Sequence, residues 1–117
     1  QLEWLRSKLG EARTSKEKVI VFCHFALLKS AAQHHRMKTP EPVLALINGS
    51  DCVVAYFAGH DHAGGYAFRD GIHHVTIKGM VEAPIRNAYA VIEVSPTTLR
   101  ETGFGKEPSR EMTIHGE

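Results

Sequence analysis

Apolar positions along this 117-residue chain change period as it proceeds. Leu2, Leu5 and Leu9, with Trp4 alongside, recur near helical spacing, which predicts an amphipathic helix that either ends at Gly10 or carries it inside. The charged stretch EARTSKEK then leads into VIVFC at 19–23, an unbroken apolar run of strand length. Runs of that kind suit a strand covered on both faces. CVVAYFA at 52–58 reads the same way, while VLALIN at 43–48, placed between Pro42 and Gly49, reads as a helix. Shorter strand candidates follow: GYAFR, IHHVTIK, NAYAVIEV and TLRETGF, separated by turn signals at Asp70-Gly71, Gly79 and Ser95-Pro96. Residues 25–38 hold no single period and suit either a helical turn or a loop. The tail, 111–117, is polar and expected to fray.

Helix, strand, helix, strand and then a β-rich run predict a layered α/β sheet with flanking helices, not a helical bundle. Phe22, Val54 and Phe57 are expected in the core, and Trp4 is expected to pack the first helix onto the sheet. Composition adds little to this picture: 43% hydrophobic and 23% charged residues are ordinary for one globular domain. The net charge of +1 gives no electrostatic case for nucleic acid or a membrane surface as partner. The longest apolar runs are far too short to cross a bilayer as helices. Cys23 and Cys52 each sit inside an apolar run, as reduced, buried thiols do, which points to a reducing compartment and a cytoplasmic protein. The first residue is Gln1 rather than methionine, as expected of a piece of something longer.

The candidate chemistry lies in histidines. FAGHDHAGGY at 57–66 sets His60 and His62 two residues apart, among glycines. On an extended segment those two imidazoles project to one side while Asp61 points the other way. Neutral imidazole is a ligand for manganese, zinc or iron, and a pair can reach one ion or two adjacent ones. His24 ends the first buried run as His60 follows the second, so neighbouring parallel strands would bring all three imidazoles to one rim. Strand tips of this kind are where sites form in helix-flanked sheets.

VFCH, followed some 35 residues later by FAGHDH, resembles the carboxyl-terminal motifs of the calcineurin-like metallophosphoesterases. QLEWLRSKL, GHDHAGGYAFRDGIHHVTIKGMVEAP and GFGKEPSR extend that likeness to the manganese-dependent ADP-ribose/CDP-alcohol diphosphatase branch, from Gln1 to about Arg110. The resemblance implies the β-rich carboxyl-terminal half of a two-sheet sandwich with flanking helices, holding two divalent ions at strand tips. Manganese is favoured, with zinc or iron as alternatives. It also implies that His24 and His60 bind the second ion and His62 the first. The implied substrate is a nucleoside-diphosphate small molecule, ADP-ribose or a CDP-alcohol, hydrolysed at its pyrophosphate. Paired cations hold phosphoryl oxygens, acidify a bridging water and stabilise an in-line displacement.

The family's Asp-x-His, Gly-Asp-x-x-Asp and Gly-Asn-His motifs do not occur in this sequence. Its aspartates are Asp51, Asp61 and Asp70, and none stands in such a motif, so no catalytic residue is assigned in this chain. Where the family commonly has proline two residues after the strand-end histidine, this chain reads His24-Phe25-Ala26. Residues 1–117 are therefore expected to be a partial phosphoesterase domain, inactive alone. The alternative is a non-catalytic metal-binding or interaction module, self-associating through an exposed sheet edge.

Other residues weigh less. Tyr66 is a candidate for nucleotide stacking, with strand packing as the plain alternative. His73 and His74, adjacent on a strand, face opposite ways, one toward the rim or substrate and the other into the core. His34 and His35 beside Arg36 suit a solvated loop or a phosphate contact. Glu82 and Arg110 belong to the resemblance without any chemistry that requires them, and an ion pair or a loop anchor is the plain reading for each.

Overall fold

The computed structural model describes residues 1–28, 36–80 and 87–115. Helix α1 (Leu2–Thr14) runs straight through Gly10, and α2 (Glu41–Gly49) begins directly after Pro40. Four strands form one sheet: β1 (Val19–Phe22), β2 (Val53–Ala58), β3 (Gly65–Arg69) and β4 (Ile72–Thr76), in the order β1-β2-β4-β3. β1, β2 and β4 are parallel, and β3 returns antiparallel on β4 through the Asp70-Gly71 turn. A second, antiparallel sheet is built from β5 (Ala88–Val94), β6 (Thr98–Gly105) and β7 (Arg110–Thr113).

Every residue of β2 and β4 is buried, which is why both read as continuous or nearly continuous apolar runs. Their two faces feed two cores. Leu9 and Ala12 from α1 and Ile47 from α2 pack on Val53, Tyr56, Ala58 and Ile72. On the other face Val54, Ala55, Phe57 and Val75 meet Leu99, Met112 and Ile114 of the second sheet. Val54 and Ala55 share a face because the register slips there: Val19 pairs with Val53 but Ile20 with Ala55. The layers are therefore helices, mixed sheet and antiparallel sheet, the two-sheet arrangement that the family resemblance implies.

Three expectations are corrected. The tail does not fray from residue 111: β7 pairs with β6, and Met112 and Ile114 alternate into the core. Only 116–117 of that segment lie outside the described residues. Trp4 is 65% exposed, because the buried stripe of α1 runs through Leu5, Leu9 and Ala12 and leaves Trp4 off it. Phe22 is 72% exposed although its ring stacks on Phe57 at 5.4 Å. It lies on β1, which forms one edge of its sheet, just as β5 forms one edge of the other. Both cysteines are free thiols. No helix of the described residues is long and apolar enough to cross a membrane.

Candidate metal centre

The parallel pairing of β1 with β2 carries both strands to one rim. The Cys23 N–H donates to the Phe57 carbonyl at 3.0 Å and the Gly59 N–H to the His24 carbonyl at 3.1 Å, so the chains stay paired beyond the strands. His24 Nε2 thereby stands 2.9 Å from His60 Nδ1. At that distance one ring's N–H donates to the other ring's lone pair. Two imidazole nitrogens about 2.1 Å from a single tetrahedral ion would stand about 3.4 Å apart, so a small widening of the pair would admit one ion. The Phe25 ring packs against both imidazoles, at 4.8 Å from His24 and 4.7 Å from His60.

His60 reaches this position by leaving the strand. β2 ends at Ala58, and residues 59–64 form a compact turn rather than an extended segment. His60 adopts φ of 62°, the left-handed region that disfavours a side chain. The Asp61 N–H donates to the Gly59 carbonyl at 2.7 Å and the Gly64 N–H to the Asp61 carbonyl at 2.9 Å. Asp61 turns its carboxylate inward to accept from the Ala63 N–H at 3.2 Å. The strand-like alternation expected of His60-Asp61-His62 is thus replaced by a turn, because a positive φ followed by an Asx-type bond reverses the chain.

His62 packs elsewhere, on Gly79. The Gly79 N–H donates to the His62 carbonyl at 3.1 Å, and a β-carbon on Gly79 would lie 2.6 Å from the imidazole. Only glycine leaves room for that ring. All three histidines line one open cleft of 850 Å³ between the sheets, together with Phe22, Met80 and Tyr89. Among the described residues, no three His, Cys, Asp or Glu side chains converge into a group able to hold an ion. Two imidazoles fit one ion, yet hard cations such as manganese also want oxygen donors, so this donor set is incomplete.

The remaining candidates do not join that cleft. His73 Nε2–H donates to the Thr113 carbonyl at 2.7 Å, since a carbonyl only accepts. Its Nδ1 therefore accepts from the Tyr66 hydroxyl, also at 2.7 Å, so one ring nitrogen ties the two sheets together and the other ties β4 to β3. His74 faces the helix side, near Tyr56, and burial lowers its pKa from 6.5 to about 4. Its Nδ1 has no hydrogen-bond partner among the described residues. Tyr66 and His74 line a separate cavity of 170 Å³. His34, His35 and Glu82 lie outside the described residues.

Arg110 makes an ion pair, the plain reading of it in the sequence, but its partners are not legible there. Its Nη1 donates to Glu101 Oε1 at 2.6 Å and to Glu107 Oε2 at 3.0 Å, and both glutamate side chains are fully buried. The Glu101 carboxyl is pushed up to about 7, by burial and by the neighbouring Glu107 carboxylate, with Arg110 opposing.

No family model matches the chain. Relatives are found along its whole length. A protein from Homo sapiens named manganese-dependent ADP-ribose/CDP-alcohol diphosphatase is 34% identical over 120 residues, covering 100% of this chain and 35% of its own length. One of the same name from Oryza sativa is 35% identical over 115 residues, covering 96% of this chain and 36% of its own length. A crystal structure of a dimetal phosphatase from Danio rerio superposes with a TM-score of 0.92 at 28% identity, covering 98% of this chain and 38% of that one. The chain thus spans about a third of the length of the curated relatives it matches.

Proposed function

Because this chain is kin to the manganese-dependent ADP-ribose/CDP-alcohol diphosphatases and has the dimetal phosphatase fold over the third of their length that it spans, we propose that it supplies the imidazole side of a two-metal phosphohydrolase centre. The observation that carries this reading is the approach of His24 to His60 at 2.9 Å, made by two strand tips. In the proposal His24 and His60 hold one divalent ion and His62 contributes to a second, with manganese as the favoured metal. The oxygen donors and the phosphate-contacting histidine come from outside this sequence. Bound there, paired ions polarise a phosphoryl group and acidify a water.

The protein's own residues set the geometry. The turn at 59–64 presents His60, Gly79 seats His62, and the open cleft leaves room for a nucleoside-diphosphate small molecule at the rim. The whole assembly would cleave the pyrophosphate of ADP-ribose or a CDP-alcohol, in the cytoplasm, where Cys23 and Cys52 stay reduced. In this reading the chain alone lacks a complete centre and is expected to be inactive, the described residues offering no group of three or more His, Cys, Asp or Glu able to hold an ion. Among the described residues β1 and β5 stand at sheet edges and Phe22 is exposed on β1, which favours a second reading as an interaction module.

Hydrolysis of ADP-ribose and CDP-choline with manganese tests the proposal, using the 117-residue chain with and without the remainder of a relative such as the human protein. Turnover only in the joined chain, abolished by His60→Ala, is expected. Full turnover by the chain alone overturns the claim that it is incomplete. No turnover in the joined chain favours the interaction module.

A further inference from the structure

We propose that Glu107, held by Arg110, is a positioning residue for the His62 loop. Two buried carboxyl groups on one guanidinium are a poor stability device, because desolvating them offsets much of their attraction. Their geometry points to another use. Glu107 gives Oε2 to Arg110 and spends Oε1 on the backbone N–H of Lys78, at 2.8 Å. β4 has already ended at Thr76, and the Ile77 N–H makes the last bond to β2, at the Ala58 carbonyl. From Lys78 onward the segment leaves the sheet.

Among the described residues, the bonds that hold it there run to two places, the Glu107 carboxylate and the His62 loop. Lys78 Nζ donates to the Ala63 carbonyl at 2.7 Å, and the Gly79 N–H donates to the His62 carbonyl at 3.1 Å. Lys78-Gly79 is therefore a short bridge with the second sheet on one side and His62-Ala63 on the other. Moving the Glu107 carboxylate moves the surface on which the His62 ring rests.

The opposite side of the clamp is equally specified. Arg110 and Glu101 are direct cross-strand partners on β7 and β6, and the guanidinium lies over the Tyr66 ring at 5.4 Å. The connection between β6 and β7 folds back so tightly that a β-carbon on Gly103 would overlap the Glu107 and Pro108 carbonyls, and the Gly103 N–H donates to Ser109 Oγ at 3.0 Å. That fold-back points Glu107 inward. The GFGKEPSR segment thus acts on the site from behind, through Glu107, without touching the cleft.

The functional meaning of the clamp rests on His62 being a metal ligand; the mechanical coupling does not, so the test is made without metal or substrate. The Lys78 amide exchange rate and the His24 and His62 ring proton shifts are measured by NMR in Glu107→Ala, Glu107→Asp and Glu107→Gln. Met112→Ala, which loosens the same sheet without touching the clamp, serves as the control for general destabilisation. Glu107→Ala, and Glu107→Asp with its shorter reach, are expected to speed Lys78 exchange by at least about tenfold beyond the control and to shift His62 but not His24. Glu107→Gln keeps an acceptor for the Lys78 N–H and is expected to preserve its protection and the His62 shift. If Glu107→Asp leaves Lys78 and His62 where the control does, the clamp does not position the loop. Loss of protection in the glutamine variant equal to that in the aspartate variant would overturn it as well.

Discussion

His24 and His60, 36 residues apart in the chain, bring ring nitrogens to 2.9 Å because β1 and β2 run parallel and end at the same rim. The second of these residues holds a backbone conformation of φ 62° that its side chain opposes. The left-handed region costs a non-glycine residue about 1–2 kcal/mol. His60→Gly is accordingly expected to be more stable than His60→Ala by about 1 kcal/mol, although both lose the imidazole. Urea denaturation of the two variants checks this. Equal midpoints would mean the turn is not strained.

The rim was legible in the sequence because its signals are local: an apolar run, then a histidine, twice. The layering was legible for a similar reason, since β2 and β4 are buried throughout and β3 and β4 are joined by Asp70-Gly71. The shape of the turn at 59–64 was not, because alternation assumes an extended chain and a positive φ at His60 breaks it. β7 was hidden by its polar flanks, although Met112 and Ile114 alternate as a half-buried strand does. An ion pair is the plain reading of Arg110, but Glu101 and Glu107 carry no signal in the sequence that marks them as its partners. Only the fold-back after β6 buries them together.

Gly79→Ala is expected to disturb His62 specifically. A methyl group there would lie 2.6 Å from the imidazole, so ring or loop must shift. Overpacking of this kind typically costs about 1–3 kcal/mol. Thermal unfolding and the His62 ring proton shifts measure both effects, and an unchanged His62 environment would contradict the packing described.

Tyr66→Phe is expected to destabilise the protein by about 1 kcal/mol, the net value of a lost hydrogen bond that leaves His73 Nδ1 without its donor. Metal binding should be unaffected, because His73 uses its other nitrogen on the Thr113 carbonyl and neither Tyr66 nor His73 lines the cleft of His24. Calorimetry of the variant tests both halves, and weaker metal binding would place Tyr66 or His73 at the site after all.

Two buried groups give stability opposite dependences on pH. The Glu101 pKa rises on folding from 4.5 to about 7, so folding binds its proton more tightly and its favourable contribution is lost as pH climbs through that window. The His74 pKa falls from 6.5 to about 4, so the unfolded chain takes up the proton first and stability is lost as pH falls through that window. Glu101→Gln should therefore gain on the parent protein as pH rises from 4.5 to 7. His74→Gln should gain on it as pH falls from 6.5 to 4. Denaturation midpoints across this range would show parallel curves if neither group titrates as described.

Manganese titration calorimetry of the 117-residue chain, with His60→Ala alongside, tests the central claim most directly. A chain that carries an imidazole pair but not a whole dinuclear centre should bind a single ion weakly and lose it in the variant. Tight binding of two ions per chain would contradict this and show the site to be self-sufficient.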